Sequence, residues 1–232
     1  MTEALTLAPA LYIAPTAAGA LHVVTDDANG PPEHLVRALL REPKHVRTDD
    51  ADLAALTGVA DPERALAVVA AAQDAGWIEG RTEPPELPEG PLGRLLPKLL
   101  APLSDIGQAA LVDDQGFSLS SVGFSADADM ELSVLAAEVQ RLLQRRTTVA
   151  ASTTAVTGWG LVDHHGAPTV AIFPLSIGTQ QFVLIVGGLP RLNHPAFVLL
   201  TTALSRRYDP TAGQEADDPS AATTSTGGPI HA

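Results

Sequence analysis

The 232-residue chain contains no cysteine. That excludes a disulfide framework, a thiolate nucleophile, a Cys-ligated zinc and an iron–sulfur centre, and it fits a reducing compartment. Cations are scarce as well: 14 Lys and Arg stand against 27 Asp and Glu, a formal net charge of −13. Phosphate-rich partners demand a cationic footprint, so neither nucleic acid nor an anionic membrane is expected as a partner. The lysines are Lys44 and Lys98, and neither closes a G-x-x-x-x-G-K-[ST] loop, so the chain is not itself a P-loop nucleotidase. A G-x-S-x-G elbow and an H-E-x-x-H pair are absent too. No apolar run approaches the ~18 residues that suggest a bilayer span. The opening residues Met1-Thr2-Glu3-Ala4 carry no basic signal segment, and a soluble cytoplasmic protein is the expectation. What the chain does have is 45% hydrophobic residues, enough for a real core.

Charge divides the chain into three unlike pieces. Residues 1–90 hold 6 basic and 15 acidic side chains, residues 91–208 hold 8 of each, and residues 209–232 hold 4 acids and no base. The last piece is Thr, Ala, Gly, Pro, Ser and Asp without periodic apolar positions, and it reads as a disordered acidic tail. Between the first two lies a proline-rich, acidic stretch at residues 82–90, continuing into Pro91. Its prolines block helix and sheet hydrogen bonding, which marks an interdomain linker. No internal repeat of ~20–50 residues is apparent.

In residues 1–81, Leu11-Tyr12-Ile13 and Leu21-His22-Val23-Val24 read as short strands. Pro31-Pro32-Glu33 opens a helix with Leu35, Val36, Leu39 and Leu40 on one face, closing before Pro43. Thr48-Asp49-Asp50 is the expected cap of a second helix that carries Leu53 and Leu56 and stops at Gly58. Asp61-Pro62-Glu63 starts a third, running to Gly76, after which Trp77-Ile78-Glu79-Gly80 turns extended. Helix, short helix, long helix, glycine and an extended end resemble a winged-helix module over residues 31–81. Its third helix offers Glu63, Arg64, Gln73 and Asp74 amid alanines, poor chemistry for reading DNA and better suited to protein contacts or packing.

The second piece reads differently. Leu92, Leu95, Leu96, Leu99, Leu100 and Leu103 form an amphipathic helix that Pro97 and Pro102 kink or split. Two strands follow, residues 109–112 and 117–124, joined by the turn Asp113-Asp114-Gln115-Gly116. Asp127-Ala128-Asp129 caps a long helix over residues 130–146, with Leu132, Leu135, Val139 and Leu142 on one face. Strands at 156–162, 169–175 and 182–186 come next, linked by Asp163-His164-His165-Gly166 and by the six residues 176–181, and a helix from Pro195 to Tyr208 closes the set. The order α-β-β-α-β-β-β-α implies an α+β fold with a five-stranded antiparallel sheet.

That order, the hairpin "LVDDQG" followed by "SLSSVG", and the long helix "MELSVLAAEVQRLL" resemble the roadblock (dynein light chain, MglB-like) domain over residues 91–208. Longin and profilin-like domains share parts of the pattern. The roadblock resemblance implies a homodimer joined through an edge strand, with the long helices side by side, and a platform for a Ras-like small GTPase or another roadblock-type protein. It implies no enzyme and no cofactor of its own, though MglB-type members accelerate hydrolysis by their partner. The pairing edge would be the strand at 156–162, with Val156, Trp159 and Leu161. The outward face of the long helix would carry the partner site at Glu131, Val134, Glu138, Arg141 and Arg145, charges that a plain solvated face explains equally well.

The residues with catalytic overtones resolve to structure. His164 and His165 are neighbours in a turn, Asp113 and Asp114 are turn formers, and Asp127 to Glu131 lacks the glycine and the distal Glu of a calcium loop. A different class of function, a transcriptional regulator with a winged helix for DNA and a dimerising or sensing second domain, conflicts with the acidity of residues 1–90. An enzyme with an unrecognised site would need a polar-lined pocket between sheet and helices.

Overall fold

The computed structural model describes residues 7–25, 28–145 and 158–209, with side chains described up to Arg141 in the long helix. The tail expected over 209–232 lies outside the described residues from 210 onward, as does Val156.

The N-terminal unit begins with β1 (Tyr12–Pro15), α1 (Ala17–Thr25) and α2 (Pro31–Arg41). β2 (Val46–Arg47), α3 (Leu53–Thr57), α4 (Pro62–Asp74) and β3 (Ile78–Arg81) complete it. Its sheet has the order β2-β1-β3, antiparallel throughout. The helices follow the expected signals: Pro31 and Pro32 open α2, Asp61 caps α4 through Arg64 N (2.9 Å), and Gly58 ends α3 at φ 69°. Three details depart from the sequence reading. Leu21 to Val24 are helical, because Thr16 Oγ1 accepts from Gly19 N (3.1 Å) and spacing i, i+3, i+4 buries Ala20, Val23 and Val24 together. The α3 cap is Asp52, accepting from Ala55 N at 3.1 Å. Thr48 and Asp49 instead accept from Leu11 N (3.2 Å) and Ala10 N (3.0 Å), fixing the entry to β1. Finally, β3 pairs with β1, which precedes the helices, and the chain then leaves into the proline-rich stretch. The described residues hold no hairpin wing after α4.

The second unit runs α5 (Leu92–Leu100), a 3₁₀ turn (Ala101–Leu103), β4 (Ala109–Asp113), β5 (Ser118–Val122) and α6 (Ala126–Arg145). β6 (Trp159–Val162), β7 (Pro168–Ile177), β8 (Gln180–Gly187) and α7 (Pro195–Tyr208) follow. Five antiparallel strands form one sheet in the order β5-β4-β8-β7-β6. Pro97 is held inside α5, and the break into 3₁₀ geometry comes at Pro102. The six residues expected to link the last two strands shrink to a two-residue turn, since Ile177 pairs with Gln180. Gly178 at φ 58° supplies the left-handed first position that such a turn needs. α6 also starts earlier than expected. Ser125 caps it, accepting from Ala128 N at 3.3 Å, which leaves Asp127 and Asp129 inside the first turn, where their charge suits the helix dipole.

The sheet carries apolar residues on both faces. Ala110, Val112, Ile172, Val183 and Ile185 lie under α6. Leu111, Leu175, Phe182, Leu184 and Val186 face α5 and α7. This second core does not stop at the unit's boundary. α1 packs on β7 and α7, α2 packs on α7, and Val23, Leu35 and Leu40 join Leu100, Phe197 and Leu204 in one buried cluster. Polar links reinforce the seam: Arg41 Nε lies 2.7 Å from Asp209 Oδ2, and Arg206 Nη2 donates to the Glu42 carbonyl. Burial holds the Arg206 guanidinium below its ordinary value, and the Glu42 carboxylate pulls the other way.

Candidate partner-binding surface

β6 is an outer strand of the five-stranded sheet, with β7 on one side and an open edge on the other. Trp159 and Leu161 stand opposite Ile172 and Val170, so both side chains emerge on the face that α6 covers. Leu161 is 46% and Val162 62% exposed, an apolar edge without the lysine or proline that usually blunts one. The Trp159 indole N–H is buried with no acceptor among the described residues. α6 itself packs chiefly over β8, β4 and β5, on the side of the sheet away from this edge.

α6 approaches the sheet through small and polar residues. Its fully buried stripe is Ser133, Ala136, Ala137 and Gln140, while Leu132, Leu135 and Val139 are only half-buried along one flank. The sequence reading grouped Leu132, Leu135, Val139 and Leu142 on one face, and the sheet-facing stripe is rotated away from it. The rotation follows from size: Ala137 and Ser133 lie against Gly116 of the β4–β5 turn, a contact too close for leucine. Leu142 falls where only the backbone is described. The other flank carries Glu131, Val134, Glu138 and Arg141, all exposed, with Met130 beside them. Arg145 continues that stripe by its place in the helix, and its side chain is outside the described set. Of the seven exposed positions named here and on β6, Met130 and Val162 escaped the list drawn from sequence. Exposure of a lone methionine or of the last residue of a strand leaves no periodic signal.

The remaining titratable clusters build turns. Asp113 Oδ1 accepts from Gln115 N (2.9 Å) and Phe117 N (2.8 Å), and Asp163 Oδ1 accepts from His165 N (2.8 Å) and Ala167 N (3.0 Å). His164 and His165 are exposed, with ring centroids 3.7 Å apart. No group of three or more His, Asp or Glu among the described residues is placed to hold a metal ion. On α4, Glu63, Arg64, Gln73 and Asp74 are exposed, one cation among them.

No family model matches the sequence, and no curated protein is similar to it. Solved structures are. A Roadblock/LC7 domain from Streptomyces avermitilis is 14% identical, with a TM-score of 0.37 over 50% of this chain and 95% of that one. MglB of Myxococcus xanthus is 13% identical, with a TM-score of 0.35 over 53% of this chain and 95% of that one. About half of this chain is thus similar to structures of the Roadblock/LC7 type. The comparisons leave the N-terminal unit unidentified, and no helix among the described residues is long and apolar enough to cross a membrane.

Proposed function

We propose that residues 91–208 form a roadblock-type platform that pairs with a second copy through β6 and binds a Ras-like small GTPase, with residues 1–81 docked on it across the 82–90 strap. The observation that carries this is the two-sided character of α6 on a sheet whose β6 edge is open and apolar. Leu132, Leu135 and Val139 on one flank suit a second copy of the same helix. Glu131, Val134, Glu138 and Arg141 on the other suit a partner of mixed charge. One helix thereby serves self-association and recruitment without competition between them. Any effect on GTP hydrolysis would act by repositioning the partner's own groups; among the described residues only Arg141 stands on that face as a cation.

The test has two arms. Leu161→Lys and Val162→Lys place charge on the open edge, and light scattering should show the mass falling from that of two chains to that of one. A wild-type chain already monomeric at micromolar concentration refutes the pairing. Glu138→Lys with Arg141→Glu should leave the mass unchanged and abolish co-purification with a small GTPase. A GTPase retained by that double variant removes the charged flank as its site.

A further inference from the structure

A cleft of about 500 Å³ opens where the end of the proline-rich strap, the start of α5 and the last turns of α7 meet. Its volume falls in the range typical of small-molecule sites. Pro91, Leu92 and Leu95 line it from the α5 side and Ala203 from α7, and its charged lining residues are Arg206 and Arg207. No acid lines it among the described residues; Glu89 of the strap is exposed and is not part of the lining. In a chain of net charge −13, a cleft lined by cations alone stands apart.

Arg206 lacks the counter-ion that other arginines of the chain have. Arg41, Arg47 and Arg81 lie 2.7, 3.0 and 3.9 Å from a carboxylate oxygen. Arg206 is half-buried and its Nη2 donates to the Glu42 carbonyl, yet no carboxylate among the described residues comes within ion-pair distance of it. The Glu42 carboxylate acts on it only from farther away. Drawing a guanidinium partly out of water without an anion is costly, and buried cations are ordinarily paired. The dipole of α7 favours cations in its last turn, which accounts for the exposed Arg207 and supplies no anion for Arg206. The first turn of α5 holds neither an acid nor a side-chain cap, so its backbone N–H groups add to the positive potential. Two cations without an acid suit a dianion, and the leucines beside them suit an apolar body.

We propose that this cleft binds a small phosphate monoester, its dianionic head at Arg206 and Arg207 and its apolar body along Leu92 and Leu95. A planar guanidinium grips such a head through two parallel N–H groups. The strap, α5 and α7 all contribute, so an occupied cleft fastens the end of the strap to α7, independently of any GTPase reading. The probe is phenyl phosphate, titrated calorimetrically into the full chain at about pH 8, where the phosphate is dianionic, beside phenylacetate and benzylammonium chloride. Saturable one-to-one binding of phenyl phosphate is expected, with phenylacetate at least about threefold weaker and no binding of benzylammonium. Arg207→Ala, on an exposed side chain, should weaken phenyl phosphate binding about fivefold. Arg206→Lys keeps the charge, loses the fork and should weaken it about threefold. Arg64→Ala, on the exposed face of α4 and away from the lining, should leave the affinity unchanged. The proposal is overturned by the absence of saturable binding, or by phenylacetate or benzylammonium binding as tightly as phenyl phosphate. It is overturned equally by either cleft substitution leaving the affinity unchanged, or by Arg64→Ala weakening it as much as Arg207→Ala does.

Discussion

Gln140 faces the sheet at 3% exposure with both amide atoms unpartnered, and Ser133 two turns earlier has a buried hydroxyl in the same state. Each such group costs about 1–3 kcal/mol against an apolar side chain of similar shape. Gln140→Leu is therefore expected to stabilise the chain by about that amount, read as a rise in urea midpoint at constant slope. A fall would show that the amide finds a partner in solution that the isolated chain does not offer. The sequence could not reveal this residue's position. Leu132, Leu135 and Val139 dominate the periodicity of α6, and a hydrophobic pattern points to where leucines are, whereas contact distance is set by the small residues between them. The charged flank was legible, because Glu131, Val134, Glu138 and Arg141 recur at helical spacing and each proves exposed.

Elements were read best where their signals are local. The Asp-Gly turn of the β4–β5 hairpin, the proline and aspartate starts of α2 and α4, and the apolar strands β7 and β8 all lie within two or three residues of expectation. Signals failed where a partner distant in sequence decides. β2 is two residues long and exists only through Tyr12 and Ile13, so no window of its own sequence declares it. α1 was mistaken for a strand because its apolar stretch spans scarcely one turn, too short to separate period 2 from 3.6. What holds α1 is Gly19, where an added Cβ would collide with the Trp77 carbonyl and lie 2.7 Å from its Cα. Trp77 O meanwhile accepts from Thr16 N at 2.9 Å, and its ring stacks on His22 at 4.1 Å. An Ala in place of a mid-helix glycine ordinarily stabilises by about 1 kcal/mol. Here Gly19→Ala is expected to destabilise by about 1–3 kcal/mol, because backbone cannot move aside as a side-chain tip would. Thermal melts decide on sign alone.

At the scale of the molecule, composition and charge suggested separate units on a tether, and the described residues show one continuous apolar core beneath that division. Leu35 and Leu40 of α2 share it with Phe197 and Leu204 of α7, and α1 lies against β7. Removing residues 1–81 would bare that side of α7 and the sheet, so the platform is not expected to be stable without them. Interfaces between units linked by a flexible stretch usually permit independent motion, but an apolar, buried interface of this kind opposes it. The two tryptophans allow a direct test, since Trp77 reports on the N-terminal unit and Trp159 on the edge strand of the other. Trp159→Phe leaves the first reporter and Trp77→Phe the second. If the core unfolds as one body, each variant should show fluorescence and circular dichroism midpoints that coincide in urea, in a single transition. If the fluorescence of Trp77 moved at lower denaturant than the bulk of the secondary structure in the Trp159→Phe chain, the N-terminal unit would detach on its own. The shared core would then be a docking interface, and the strap a true hinge.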